Sequence, residues 1–357
     1  MIDLHVQRYA LLALLAAALF GVSTPLAKLL LGSSPPIMLA GLLYLGSGLG
    51  LLIVQVMKRC AFPDPSSDRQ EFKLQEGDYV WLAGAVAVGG VAAPVLLLWG
   101  LSGSSASSAS LLLNLEGVMT TLLAAALFRE AVGRVVWMGS FVMLAAGLAL
   151  AYDPHATHVF SLNSLAIVGA CLMWALDNNL TRNISTGNPT AIAMIKGLAA
   201  GTVNIGLGLA NGAALPEIGS LAAAMLLGFF GYGISLVLFI YALRHLGSAR
   251  TAAHFSTAPF LGAIVSILLL GEPLTATFVL ALILMVFATW LVLTEQHGHE
   301  HHHEYLAHMH RHTHEEHHRH VHDDGSEGLE PHTHFHVHVP MTHSHPHLPD
   351  VHHRHRH

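Results

Sequence analysis

The stretch from Ser104 to Glu130 most constrains what this chain can fold into. It is long enough to cross a bilayer, which takes roughly 20 mostly apolar residues, and it carries Asn114 and Glu116 near its middle. A second stretch, 248–272, also opens on small residues, contains a polar interruption and a proline, and closes on a glutamate. Two such stretches predict a duplicated membrane protein.

The composition agrees with a membrane location. The chain is 53% hydrophobic and 11% charged, whereas soluble domains carry about 25% charged residues. Its two cysteines provide neither a disulfide framework nor a cysteine metal motif. We therefore expect an integral, multi-pass membrane protein that is not an enzyme, with the lipid bilayer as a partner and no nucleic-acid partner.

Hydropathy predicts the fold class, an all-α membrane protein, because only helices satisfy every backbone group within an apolar span. The ten predicted spans are 9–31, 36–57, 79–100, 105–128, 134–152, 161–181, 189–210, 218–242, 249–270 and 275–294.

Lysine and arginine predict the orientation, since these residues are enriched in cytoplasmic loops. With the N-terminus inside, the inner segments hold all the loop cations and the outer loops hold none. Lys28 and Lys196 fall within spans, and we expect Lys28 to reach the outer interface. The pattern predicts that both termini are cytoplasmic, and we expect the cell membrane, a bacterial inner membrane, as the location.

The two halves of the apolar region repeat one another. A shift of 154 residues aligns 20–28 with 174–182, and a shift of 142 aligns Glu130 with Glu272. Because each half has five spans, the second half enters the membrane from the opposite side, which is the inverted repeat of many secondary transporters. The predicted domains are 1–152, 153–294 and a tail, 295–357.

These spans resemble a known family. The run A-S-S-A-S-L-L-L-N-L-E-G-V-M-T-T-L-L-A-A-A-L-F-R-E at 106–130, and L-L-L-G-E at 268–272, closely resemble the EamA branch of the drug/metabolite transporter superfamily. The resemblance covers 1–294 and implies a ten-helix carrier with a central cavity, usually an exporter of small metabolites. The family's proline in the middle of the fourth span is replaced here by Gly117, while its counterpart Pro259 is present.

Polar residues inside the spans are the candidates for the transport pathway, because ionisable groups within a bilayer are costly and usually functional. Glu116 comes first, as a residue that either faces the cavity or is protonated; cross-helix packing is the alternative. A polar stripe at helical spacing near the end of the sixth span, matched in the first, lines the cavity or joins helices. Asp177 and Lys196 are predicted to form an ion pair, either a structural clamp or a charged gate. The candidate cavity residues are Glu116, Asn114, Ser23, Thr24, Trp174, Asp177, Asn178, Lys196 and His254. Tyr44 is expected to serve packing.

The tail contains 24 of the 29 histidines. Alternating histidines share one face of an extended chain, and neutral imidazole binds Zn, Ni, Co and Cu. The candidate ligands are His332, His334, His336, His338, His343, His345 and His347. We expect no required cofactor, metal binding by the tail, and disorder without metal. The segment 314–318 matches the zinc-protease pattern H-E-x-x-H, but such a match arises by chance in this composition.

Three functions remain at this stage. The first is a carrier for a small organic solute with a metal-binding tail. The second is a carrier for a divalent transition metal fed by the tail, and the third is a membrane metal sensor without transport. The sequence leaves a homodimer open.

Overall fold

The computed structural model describes residues 4–61, 78–128, 133–152, 160–182, 184, 188–246, 251, 254–294, 298–303, 306–312, 332–338 and 341–346. Glu130 and His347 lie outside these ranges. The described chain divides into a helical unit that ends at Glu295 and a tail unit, Gln296–Leu348.

The described residues of the helical unit form ten helical segments, one in each apolar run of the sequence. They are α1 Leu4–Leu30, α2 Pro36–Ala61, α3 Asp78–Ser102, α4 106–128, α5 Arg134–Ala151, α6 Leu162–Arg182, α7 Pro189–Ala210, α8 218–246, α9 Ala258–Leu270 and α10 Ala276–Thr294.

Eight of these helices are long and apolar enough to cross a membrane. The exceptions are α6, which is 21 residues long but polar toward its end, and α9, whose continuous helix has only 13 residues. The predicted ninth span, 249–270, is therefore shorter as a continuous helix than expected. The first part of this span is separated from α9 by a turn at Ser256–Thr257, two residues before Pro259.

Helix contacts follow the repeat. The pairs α1–α8, α1–α9 and α2–α8 have the counterparts α6–α3, α6–α4 and α7–α3, while α2–α7, α4–α9 and α5–α10 pair equivalent helices. The α2–α7 pair approaches closely because glycines face each other: a Cβ on Gly197 would lie 2.7 Å from the backbone N of Gly48. This exchange of partners is what two equivalent five-helix repeats produce.

Both α3 and α8 contain a π-helical segment, Val86–Ala92 in α3 and Phe229–Ile234 in α8. The shift of 142 residues places Gly89 on Gly231, so the two segments occupy equivalent positions. A side chain on Gly89 would collide with the Asp177 carboxylate, and a Cβ on Gly231 would lie 2.8 Å from Ser23 Cβ. Close approach to α6 and to α1 therefore requires glycine at each position.

The fourth and ninth helices are both interrupted. In α4 a turn at Leu113–Asn114 separates Ala106–Leu112 from Leu115–Phe128. The turn before α9, at Ser256–Thr257, lies one residue from the position that a shift of 142 residues gives. Interrupted helices in transporters expose half-helix ends near the middle of the membrane. The turn in α4 places Glu116 in the first turn of the second half-helix.

A cation and an anion hold the connection between α3 and α4. Lys28 Nζ donates to the carbonyl oxygens of Leu101 at 2.6 Å and Ser104 at 2.8 Å. The Glu272 carboxylate accepts from the backbone N–H of Ala106 at 2.6 Å and of Ser107 at 2.8 Å. Each charge matches the partial charge of the helix end that it contacts. Lys28 is therefore bound to backbone carbonyls, and its expected reach to the outer interface stays a prediction.

The described residues of the tail unit form four stretches of extended backbone. They are β1 Gly298–His303, β2 Leu306–His312, β3 His332–His338 and β4 Met341–Pro346. Strand β1 pairs antiparallel with β4, and β2 pairs antiparallel with β3. Alternation of histidine with other residues suits extended strands, in which neighbouring residues lie on opposite faces.

Candidate functional site

Glu116 lies at the level of the break in α4 and faces α6. Its Oε1 accepts a hydrogen bond from Asn178 Nδ2 at 2.9 Å, and the same amide lies 3.3 Å from Thr120 Oγ1. The N-terminal end of the half-helix Leu115–Phe128 favours a negative charge at this position. Glu116 is thus held by an uncharged amide and a helix end.

The residue next to this carboxylate faces open space. Glu116 is half-buried, Asn178 is exposed although both its neighbours in sequence are buried, and a Cβ on Gly117 would meet no atom within 4 Å. Asp177 and Lys196 are close enough to Glu116 to interact with it electrostatically. A carboxylate among interior helices that also borders open space is available to a solute or a proton.

Asp177 and Lys196 form an ion pair, as the sequence predicted. Their side chains are 5% and 16% exposed, respectively, so the two charges are largely removed from solvent. Thr181 Oγ1 donates to the other carboxylate oxygen of Asp177 at 3.1 Å. Because a buried ion pair needs further hydrogen bonds to offset its desolvation, the threonine one turn along α6 completes the arrangement.

Two aromatic side chains meet the π-helical segment of α3. The carbonyl oxygen of Gly89 accepts from Tyr44 Oη at 2.8 Å and from Trp174 Nε1 at 3.0 Å. A π-helical turn leaves backbone groups without their usual intrahelical partners, and such turns are frequent at functional sites. Helices α2, α3 and α6 are thereby joined beside Glu116 and the ion pair.

The equivalent region of the other half is more apolar. Ser23 Oγ donates to the Phe20 carbonyl at 2.6 Å and lies beside Tyr232, and Thr24 is buried. Tyr232 packs against both Phe20 and Tyr44, with ring centroids 5.9 Å and 5.6 Å apart. Aromatic rings therefore connect α1 to the polar cluster around Glu116.

The structure brings most of the predicted site residues together, but not all. Asn178 contacts Glu116, Asp177 and Lys196 lie within electrostatic reach of it, and Trp174 contacts the Gly89 carbonyl next to the ion pair. Asn114 turns elsewhere: its Nδ2 donates to the Leu111 carbonyl at 3.1 Å and lies 4.0 Å from Met285 Sδ. His254 lies in the ninth span before the turn that precedes α9, where its carbonyl accepts from Thr257 Oγ1 at 2.7 Å.

Tyr44, Thr120 and Tyr232 belong to the site although the sequence did not single them out for it. Tyr44 was assigned to packing because a single tyrosine in an apolar helix carries little positional information. Thr120 lies one turn after Glu116, so spacing alone could have placed it on the same face. Tyr232 lies in a π-helical segment, where regular helical spacing does not apply.

Metal ligands do not gather in this region. Among the residues whose side chains the structure describes, no three His, Cys, Asp or Glu residues come together. The candidate tail ligands His332, His334, His336 and His338 lie on β3, and His343 and His345 lie on β4.

Comparison with known proteins identifies the family. The EamA-like transporter family matches residues 7–152 and 162–294. A protein of Methanothermobacter thermautotrophicus (strain Delta H), described as an uncharacterized transporter, is 26% identical over 270 residues, which cover 72% of this chain and 78% of that protein. A crystal structure 16% identical in sequence has the same fold, with a TM-score of 0.57 over 80% of this chain and 96% of the other. Since the family match spans both halves of the helical unit, the chain belongs to the EamA-like transporter family.

Proposed function

We propose that this protein is a secondary transporter that exports a small organic solute by alternating access. One observation carries the proposal: Glu116 is half-buried and held by Asn178 at the level of the helix breaks, and the next residue, Gly117, faces open space. Around it, polar groups from α2, α3, α4, α6 and α7 converge, which is where the site of an inverted-repeat carrier is expected. In the proposed orientation both termini lie in the cytoplasm, and the membrane is a bacterial inner membrane.

The charges of this cluster favour a solute with an amino group. Asp177 and Lys196 neutralise each other, so Glu116 supplies the remaining charge among the described side chains of the cluster. Tyr44 and Trp174 contact the Gly89 carbonyl in the same cluster, and aromatic rings attract cations. A carboxylate next to rings accommodates an amine or an amino acid better than an organic anion.

The helix breaks and π-helical segments provide places for the movement. Hinges absorb backbone change at a few positions, and α3, α4, α8 and α9 each carry an irregular segment at equivalent depth in the two repeats. In the proposed cycle, the two repeats exchange conformations, which opens the site alternately to each side.

The tail has a separate part in the proposal, binding divalent transition metals in the cytoplasm. No specific observation favours such a metal as the transported solute, since the described side chains of the helical unit bring no three candidate ligands together. Metal transport is therefore an outcome of the test below and not a second proposal.

The test is transport by purified protein in proteoliposomes, using the full chain and a version ending at residue 294. The solutes are radiolabelled amines, amino acids, organic acids and sugar phosphates, together with Ni²⁺, Co²⁺, Zn²⁺ and Cu²⁺. The proposal expects flux of at least one amine or amino acid by both versions. Metal flux that needs the tail, with no organic solute moved, would overturn it.

A further inference from the structure

Helix α4 packs closely before its break and loosely after it. Six of the seven residues of Ala106–Leu112 are buried. In the second half-helix, Glu116 is half-buried and Gly117 faces open space. The end of the helical unit that carries the α3–α4 connection is therefore closed around α4, whereas open space lies just after the break.

The closed half of α4 meets two other helices at one glycine. A Cβ on Gly262 of α9 would lie 2.6 Å from the Gly21 carbonyl oxygen of α1 and 2.8 Å from Ser110 Oγ of α4. The space between these three helices is thus too small for a methyl group. Because α1 and α4 belong to the first repeat and α9 belongs to the second, this contact joins the two repeats.

The Ser110 hydroxyl is an exception within this contact. Its residue is 1% exposed, and in the part of the chain that the structure describes its Oγ has no hydrogen-bond partner. Buried polar groups are almost always hydrogen-bonded, so each exception needs an explanation. Water or a polar solute would supply the missing partner if α4 and α9 separated. A surface that is buried in one conformation and open in another accounts for this hydroxyl.

A carboxylate from the second repeat holds the same half-helix at its start. Helix α9 ends at Gly271, whose φ of 65° is the left-handed conformation that glycine adopts without strain. The next residue, Glu272, accepts hydrogen bonds from the backbone N–H groups of Ala106 and Ser107. The first N–H groups of a helix have no partner within it, so this contact satisfies them and ties the end of α9 to the start of α4.

The contact of Glu272 can be broken and re-formed at low cost. Its two hydrogen bonds are only partly buried, so water can replace the carboxylate at the start of α4. Lys28, which binds the carbonyls of the α3–α4 connection, interacts electrostatically with Glu272. The Asp177–Lys196 pair differs, since its charges are largely removed from solvent and their separation would leave both unpaired.

We propose that Glu272 is a gate residue. Its contact with the start of α4 holds this end of the carrier closed, and release of the contact lets α4 and α9 separate and exposes Ser110. This inference rests on the alternating access proposed above, and it adds the closed part of the pathway and the contact that closes it.

The test is labelling of Ser110→Cys by a membrane-impermeant thiol reagent, in full-length protein that carries Cys60→Ser, in proteoliposomes of known orientation. The reagent is added on the side of the α3–α4 connection, which is the outer side in the proposed orientation. Glu272→Ala should raise the labelling rate about tenfold, because losing hydrogen bonds to a charged group lowers the population of the closed conformation. Glu272→Gln keeps the shape and one acceptor oxygen, and it should raise the rate by less.

Two controls separate gate opening from general loosening of the fold. Glu217→Ala is the matched variant, since Glu217 also precedes a helix but its side chain makes no capping hydrogen bond; it should leave the labelling rate unchanged. Protein without Ser110→Cys reports labelling of the buried Cys171, which Glu272→Ala should not raise.

Three results would overturn the gate: an unchanged rate in Glu272→Ala, an equal rise in Glu217→Ala, or an equal rise at Cys171. Amine flux by the Cys60→Ser protein tests the carrier separately. Flux without the change in labelling would overturn the gate and leave the carrier. The change in labelling without flux of any organic solute would overturn the carrier and leave Glu272 as a conformational contact.

Discussion

Asp177 and Ser23 occupy equivalent places in the two repeats, and the contacts of two glycines establish this. Gly89 faces Asp177 and Gly231 faces Ser23, as the shifts of 142 and 154 residues require. In the same way Glu116 corresponds to Ala258, the first residue of α9. Glu116 and Asp177 therefore both lack a carboxylate at the equivalent position of the other repeat. Those positions carry the methyl group of Ala258 and the hydroxyl of Ser23, with aromatic rings nearby.

Replacing Glu116 by Gln should reduce amine flux at least about tenfold, because it removes the charge that binds the amino group and leaves the side-chain shape almost unchanged. In the wild-type protein, flux should fall as the pH is lowered, since protonation of Glu116 removes the same charge; Glu116→Gln should flatten that profile. The measurement is proteoliposome flux against pH. Glu217→Gln, at an exposed position, is the control and should behave as wild type. An unchanged pH profile in Glu116→Gln would assign Glu116 to packing.

Asp177→Asn should lower the free energy of unfolding by about 3–5 kcal/mol, because it leaves the Lys196 ammonium buried without its partner. The double variant Asp177→Asn with Lys196→Met should be more stable than the single variant, since no unpaired charge remains. Thermal unfolding in detergent measures both. A single variant as stable as wild type would show that the pair is not a structural clamp.

The sequence predicted the chemistry of this site better than its geometry. Glu116 and the Asp177–Lys196 pair followed from the cost of charge in a bilayer, and that cost does not depend on details of the backbone. Asn114 was expected to share the cavity with Glu116, but the turn at Leu113–Asn114 changes which side chains share a face. A helical spacing rule holds only where the helix is continuous.

Irregular segments occur in three of the helices that contribute to the site, α3, α4 and α8. The sequence predicted the ten apolar runs, but it did not predict the π-helical segments of α3 and α8. These depend on the close approach of glycine backbone to a neighbouring helix, which is a tertiary contact. Pro259 and the polar residues before it indicated an interruption of the ninth span. Helix α4 contains no proline and is interrupted all the same.

Gly89→Ala should destabilise the protein by about 1–3 kcal/mol, the usual cost of overpacking, because the added methyl group collides with the Asp177 carboxylate. Gly206→Ala is the matched control in a helix, where the added Cβ meets nothing within 4 Å; it should be neutral or slightly stabilising. Thermal unfolding of both variants in the same detergent decides the matter. Equal effects would mean that helix α3 has room at position 89.

Glu272→Ala should lower the free energy of unfolding by about 1–2 kcal/mol, as loss of a helix N-cap does, because the N–H groups of Ala106 and Ser107 lose their acceptor. Glu217→Ala provides the comparison: Glu217 also precedes a helix, but its side chain makes no capping hydrogen bond. Unfolding midpoints should fall for Glu272→Ala and remain unchanged for Glu217→Ala. Equal midpoints would indicate that the carboxylate does not stabilise the start of α4.

At the scale of the whole molecule, the two halves of the helical unit are related as an inverted repeat. Helix partners exchange between the halves, and the connection from α3 to α4 is held at the same end by Lys28 from α1 and Glu272 after α9. Helix α4 begins where α9 ends, so the two run in opposite directions. The sequence predicted this inversion from the odd number of spans in each half.

Alternating access to the open space beside Glu116 is the central claim, and cysteine accessibility at position 117 tests it most directly. The variant carries Gly117→Cys with Cys60→Ser in proteoliposomes of known orientation, and Cys60→Ser alone reports the background from the buried Cys171. A membrane-impermeant thiol reagent should label position 117 from the cytoplasmic side and, in separate samples, from the outer side, and the transported amine should slow both reactions. Labelling from one side only, whatever the solute gradient, would contradict a carrier mechanism at this site.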